Sequence, residues 1–393
     1  MKKSKFIWGS LIALSLFGFT ACDDDDNDSK NDSTTENTNN DSATENATYT
    51  AAIDNYVDNI VVPTYADLKE KAKVLKEKVN AMYEADQLGN LTDDLVKAAA
   101  DQWIETREPW EESESFLFGP AATYNLDPSL DSWPLDKANI NALLKSEMTF
   151  DGNTLGHEVR GFHTLEYLLF YQGSAKKASD FSGRELEYAV AVANILVENT
   201  VQLYYAWNGE VTGDDKELMD DAEIEMTGSF AERFKTPNLY DSQYKTQVDV
   251  IDQIVDGGLD ISDEVGNQKI GGPYGNGNVE DVESWTSYHS KDDYTNNIIS
   301  IQHSYMGTMS DDITDLEKVG GEKSISAIVA ASNASLDNDI RAAIKEARNA
   351  IQGIPGSFAN CIINETGEDE IEAAMAACAD LNEKYAKIKT VIK

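Results

Sequence analysis

Residues 161–170 read GFHTLEYLLF, which puts His163 three residues before Glu166. A histidine can ligate a metal or move a proton near neutrality, and a carboxylate can partner it in either task. On a helix the i, i+3 spacing sets both on one face. Phe162, Leu165, Leu168, Leu169 and Phe170 make that helix apolar nearly all round, so it should be buried. A lone carboxylate in such a helix costs on the order of several kcal/mol unless it is paired or ligating. Glu166 therefore needs a partner, and His163 is the nearest. Two ligands fall short of the three protein ligands plus water of a catalytic zinc, and HExxH is absent. Taken alone, the pair is either a metal or catalytic site, or a core helix with one satisfied buried ion.

Two further segments carry candidate chemistry. In TREPWEESESFLFGP, residues 106–120, Arg107, Glu111 and Glu114 fall at i, i+4 and i+7, and Trp110 follows Trp103 by seven. They are either a site wall or surface ion pairs over an aromatic core, and such surface pairs are individually weak. Pro109 is expected to kink that helix or to start a new one at Glu108. The segment from Lys269 to Gly307 opens with a glycine-rich loop. It lacks the Gly-Lys-Ser/Thr ending and no strand precedes it, which rejects a phosphate loop; it reads as a flexible approach to a helix. Ser287, His289, Asp292 and Asp293 cluster at that helix start, as ligands or only as caps. His289 and His303 are the remaining candidate ligands, and His157 completes the four histidines. No nucleophile elbow or dinucleotide fingerprint occurs.

Helices must position these residues. Apolar positions recur at helical spacing over 51–85, with Pro63 expected to kink or split the run. Thr92 is an expected N-cap for a helix from Leu95 to about Phe118. Further helices are expected over 138–147, 161–171, 182–208, 216–234, 242–256, 294–319, 324–351 and 368–392. With no alternating strands, the reading is all-α: two helical bundles, over 51–210 and 211–393, joined near 209–214.

The 393 residues carry a formal net charge of −39. Nucleic acid is excluded as a partner, because phosphate binding needs a basic patch. At the N-terminus a basic start and an apolar run, Phe6 to Phe19, are too short to span a bilayer comfortably. Phe19-Thr20-Ala21-Cys22 resembles a bacterial lipobox, which makes 1–21 a lipoprotein signal peptide and Cys22 the lipidated residue. The polar, acidic stretch 22–50 is expected to be a disordered tether. The expected location is the cell envelope, lipid-anchored to the outer membrane, facing the surface or the periplasm. The remaining cysteines, Cys361 and Cys378, are a candidate disulfide or two free thiols.

The three segments together resemble the imelysin family. Its GxHxxE hallmark is matched by Gly161, His163 and Glu166. Its Arg-x-x-Trp-Glu-x-Ser-Glu segment is matched by Arg107, Trp110, Glu111, Ser113 and Glu114. Its C-terminal segment is matched at Glu283, Ser284, Ser287, Asp293, Asn297 and Gly307, with Ser290 departing from an expected threonine. The resemblance implies two related helical bundles with the motif near their interface, in envelope lipoproteins linked to iron uptake, some credited with peptidase activity. It carries over His163 and Glu166 as candidate metal ligands. Arg107, Glu114, Ser287 and Asp293 carry over as site walls, with Trp110 and Glu111 beside them and His289 as a local variation or an added ligand. The preferred expectation is a non-catalytic lipoprotein that binds iron or another divalent metal, free or chelated, between two bundles. Its expected partners are the membrane and envelope uptake proteins. A metallopeptidase with a third ligand from Glu114, Asp293 or His289, and a structural or docking protein with a buried polar network, are the alternatives.

Overall fold

A computed structural model describes residues 35–150, 154–239, 241–312 and 321–392, with side chains from residue 46 onward. The leader, Cys22 and the tether up to residue 34 lie outside the described residues. Among the described residues the chain is all-α apart from a two-residue hairpin, Phe170–Tyr171 against Ser174–Ala175. Thr44–Lys393 form one compact unit. No described helix is long and apolar enough to cross a membrane.

Helix α1 spans Thr35–Tyr56, so the helix reaches back into the stretch expected to be tether. Its anchor is the buried set Tyr49, Ala52, Ile53 and Tyr56; the polar turns before it extend a helix already nucleated. A π turn, Val57–Val61, joins α1 to α2, Val62–Gln87. That wider turn accommodates Pro63, which has no N–H to offer the preceding turn. Tyr65, Leu68, Ala72, Leu75, Val79 and Met82 line the buried stripe of α2. Helix α3, Asp93–Glu111, is capped by Thr92, whose side chain accepts from the Leu95 N–H at 3.3 Å. It runs through Pro109 and ends two residues later, so no new helix starts at Glu108; a 3-10 turn, Glu114–Phe116, follows.

Four shorter helices come next: α4 Pro120–Thr123, α5 Asp127–Asp131, α6 Lys137–Lys145 and α7 Gly161–Leu169. The long α8, Gly183–Asn208, starts from a Ser182–Glu185 capping box. The helix expected over 216–234 is two, α9 Asp214–Asp221 and α10 Phe230–Lys235. Phe230 and Phe234 pack on Trp207 with ring centroids 4.8 and 5.8 Å away, which holds α10 against the end of α8.

The second half contains α11 Gln247–Asp263, α12 Gly271–Asn276, α13 Ser290–Met306, α14 Ile325–Gly353, α15 Phe358–Asn364 and α16 Glu368–Ala386. The glycine-rich stretch is not an open loop. Glu264–Ile270 continues α11 as a π-helix and α12 follows directly. Helix α2 packs against α3 and α8, while α14 packs against α13 and α16, and α16 against α11. The two sets meet where α3 lies on α13 and the Glu114–Phe116 turn lies on α11.

Of the two alternatives for the cysteine pair, the structure has the free thiols. Cys361 and Cys378 are free, buried thiols. Cys361 Sγ donates to the Pro355 carbonyl at 3.0 Å, whereas Cys378 lies against Gly266 on the π-helix, so each side chain has a different neighbour.

Candidate functional site

Helix α7 is buried as its composition requires. Its start depends on Gly161, which has φ +81; a Cβ there would lie 2.3 Å from the Leu130 carbonyl oxygen of α5. Only glycine allows that approach, and the approach sets Asp131, the last residue of α5, beside His163. His163 Nε2 lies 3.0 Å from Asp131 Oδ1 and 3.4 Å from Glu283 Oε1. Its other nitrogen, Nδ1, lies 3.3 Å from Glu166 Oε2. The Trp133 ring covers the imidazole, with centroids 4.5 Å apart.

Glu166, 1% exposed, is fully engaged. Its Oε1 accepts from the Thr286 hydroxyl at 2.7 Å, the Ser287 N–H at 2.8 Å and the Ser287 hydroxyl at 3.0 Å. It therefore orients His163 from behind and faces away from Asp131 and Glu283. Ser287, expected as a site wall, is the residue that holds it.

Arg107 is the centre of the network and 0% exposed. Its guanidinium contacts Glu111 at 2.5 Å, Glu283 at 2.8 Å, Asp293 at 3.5 Å, and Asp131. It also lies 3.4 Å from His163 Nε2. Trp110 donates its indole N–H to Asp131 Oδ2 at 2.7 Å, which makes it part of the site rather than plain core. Glu111 Oε2 accepts from the Asn297 amide at 2.5 Å, and Asp293 pairs with His289 Nδ1 at 3.0 Å. Of the residues singled out in the sequence, His163, Glu166, Arg107, Trp110, Glu111, Ser287 and Asp293 thus converge, and His289 joins through Asp293. His157 and His303 are engaged elsewhere, with Ser129 and Asp311 respectively.

Three site residues escaped the sequence reading, and a fourth entered it by resemblance alone. Asp131 sits on a five-residue helix too short to show a period. Glu283 was visible only through family resemblance. Lys269 lay in a stretch read as a flexible loop, and Asp127 carries no local pattern at all.

The charges are strongly coupled to burial. Burial opposes ionisation of Asp131, yet Arg107 and His163 hold its carboxyl well below the usual range. Glu283 is likewise disfavoured by burial, but Lys269, the His163 hydrogen bond and Arg107 bring it down to about 2. His163 is raised well above the ordinary imidazole: burial and Arg107 oppose the charged ring, and Asp131 and Glu166 outweigh them. Glu111 is pushed up to about 8, because burial exceeds the pull of Arg107 and Lys269.

A cleft of about 380 Å³ opens beside this network. Glu114, Asp127, Asp131, Glu264, Asp281 and Glu283 line it, against a single cation, Lys269. Burial and mutual repulsion push the Glu114 carboxyl well up and Asp127 to about 6. Donor atoms of Asp131, His163 and Glu283 lie within 4.8 Å of one another, as do those of Glu111, Glu114 and Asp131. One imidazole and two carboxylates suit a divalent transition metal, and Glu166 behind His163 supplies the outer support such ligands use. The donor types therefore fit a cation, with one condition. Arg107 already contacts Asp131, Glu283 and His163, and Asp131 and Glu166 favour the charged imidazole, so a metal at His163 competes with a proton as well as with the guanidinium.

Fold and site together define an all-α protein with a buried histidine–carboxylate–guanidinium network beside an acidic cleft. The chain belongs to the imelysin family: residues 61–385 match the family described as Imelysin. It is 26% identical over 256 residues to iron-regulated protein A of Synechococcus elongatus (strain ATCC 33912 / PCC 7942 / FACHB-805), covering 65% of this chain and 63% of that relative. The chain thus matches under two thirds of the relative's length. A crystal structure from Parabacteroides distasonis ATCC 8503, provisionally classed as an iron-regulated protein A precursor, matches with TM-score 0.78 and 30% identity, over 88% of this chain and 96% of that one. An imelysin-like protein from Psychrobacter arcticum 273-4 shares the fold at TM-score 0.58 and 14% identity, over 88% and 93% of the two chains.

Proposed function

We propose that this protein captures a divalent metal, iron foremost, in the acidic cleft, as a lipid-anchored envelope component of metal uptake. The observation that carries the reading is that donor atoms of Asp131, His163 and Glu283 lie within 4.8 Å of one another beside the cleft. The relatives named as iron-regulated support iron as the cargo. The lipobox-like Cys22 segment and the acidic stretch after it support anchoring in the outer membrane, with envelope uptake proteins as partners. The test is metal analysis and titration calorimetry of the purified chain with Fe2+, Mn2+ and Zn2+. Expected is one cation bound in wild type, with a large loss of affinity in His163→Ala and Asp131→Asn. A chain that retains no metal under any of these conditions overturns the reading and leaves a structural network.

A metallopeptidase is favoured by one observation, a third candidate donor beside the other two, which would meet the count a catalytic metal requires. Against it, Glu166, the nearest carboxylate for a general base, has its Oε1 occupied by three donors. Zinc-dependent cleavage of a denatured polypeptide, lost in His163→Ala, would establish that reading.

A further inference from the structure

Lys269 sits where a cation would. It projects from the π-helix that extends α11, and its side chain is 9% exposed. Its Nζ lies 3.0 Å from Glu283 Oε2, while Arg107 holds Oε1 of the same carboxylate from the buried side. Arg107 does not line the cleft; Lys269 does. The charge felt by Glu114 and Glu264 at the same cleft is offset chiefly by this ammonium, and that of Glu111, buried beside it, by Arg107 and this ammonium together. Anything entering from solvent therefore meets six acidic side chains, of which Glu114 is pushed toward its neutral form, and one cation on a flexible four-carbon stem.

Resting on the metal-binding reading above, we infer that Lys269 is a built-in competitor for the cargo, and that the cargo is a free aquated cation rather than an anionic chelate. The incoming cation takes the Glu283 Oε2 position as the lysine side chain swings out toward water. An anionic chelate is disfavoured there: its carboxylate or catecholate oxygens would face the acidic lining, and Lys269 is the one cation among the lining residues. Like charges at that range repel strongly in a poorly solvated cleft. The geometry makes the sign of one substitution diagnostic. If Lys269 competes, its removal strengthens cation binding. If it anchors an anionic complex, its removal abolishes binding.

The experiment titrates Mn2+ and, separately, ferric citrate into the full chain, as wild type, Lys269→Met and Lys269→Gln. Mn2+ binding should tighten by about tenfold or more in both variants, since a competing unit charge is gone. Ferric citrate should bind none of the three proteins. Thermal melting guards against a folding artefact. Both variants should melt lower than wild type without Mn2+, because Glu283 loses a counter-charge, and recover more than wild type gains when Mn2+ is added. Unchanged or weaker Mn2+ binding in folded variants overturns the competitor role while the metal reading survives. Ferric citrate bound by wild type and lost in Lys269→Met overturns it too, in favour of an anion anchor. Failure of every protein to bind either probe overturns this inference, and the metal reading falls with it when Fe2+ and Zn2+ also fail to bind wild type.

Discussion

Glu283 Oε1 lies 2.8 Å from the Arg107 guanidinium, across 176 residues of sequence. That pair ties α3 to the segment before α13, and both side chains are buried. Around it Asp131, Glu111 and Asp293 make the guanidinium the shared counter-charge of four carboxylates.

Removing Arg107 should therefore damage the fold before it damages any binding. Arg107→Met leaves the carboxylates without their common cation, and breaking a buried ion pair costs about 3–5 kcal/mol. Denaturant unfolding at pH 7 measures it. Arg107→Lys should recover only part of the loss, because one ammonium cannot span the acceptors the planar guanidinium reaches. A loss within 1 kcal/mol of zero, on the order of a surface pair, would show that the network is not holding the helices together.

Gly161→Ala tests how Asp131 reaches His163. The added Cβ would meet backbone, not a flexible side chain, and the residue sits at positive φ. The expected cost is about 1–3 kcal/mol. Metal affinity should fall as well, because α5 must back away and carry Asp131 with it. Alanine tolerated with full affinity would mean that the close approach of α5 and α7 is incidental.

Glu166→Gln separates orientation from ligation. The amide oxygen can still accept from Thr286 and Ser287, so stability should drop by only about 1–3 kcal/mol. The contact with His163 Nδ1 changes character, and outer-shell losses of this kind weaken metal binding by about 10–100-fold. Complete loss of the metal in a folded variant would instead make Glu166 a direct ligand.

The acids raised by burial give a defined pH response. Glu111 and Glu112 are each pushed up to about 8, by burial above all. Their folded values exceed the unfolded carboxylate value of about 4.3. The folded state thus binds more protons in between, and stability should fall as pH rises from about 4.3 toward 8. Glu283, brought down to about 2, acts oppositely: its contribution is lost as pH falls from about 4.3 toward 2. Stability should peak on the acid side of neutrality. Glu112→Gln should raise stability at pH 8 and flatten the decline, as read from melting temperatures across pH 4 to 9. A profile that climbs steadily to pH 8 would refute the sign.

Much of the architecture was legible because helix periodicity is a local property. The stripe of α2, the Thr92 cap and the buried character of α7 all follow from residues within a few turns of each other. The pairs Arg107–Glu111 and His163–Glu166 were legible for the same reason, being i, i+4 and i, i+3 neighbours. What Glu166 does was not: its partners Thr286 and Ser287 arrive from 120 residues away. Nor could spacing show that Asp131 and Glu283 would close on His163, since a short helix and a turn carry no period. The glycine-rich stretch misled because its glycines permit a loop, whereas packing of α11 on α16 and of the π-helix on both draws it into a continued helix that delivers Lys269. Local patterns alone were enough for most of the long helices and for the burial of His163 and Glu166, with the need for partners that burial creates. Which partners they receive depended on folding, because buried charges must be neutralised by whatever the packing of distant helices brings within about 3 Å.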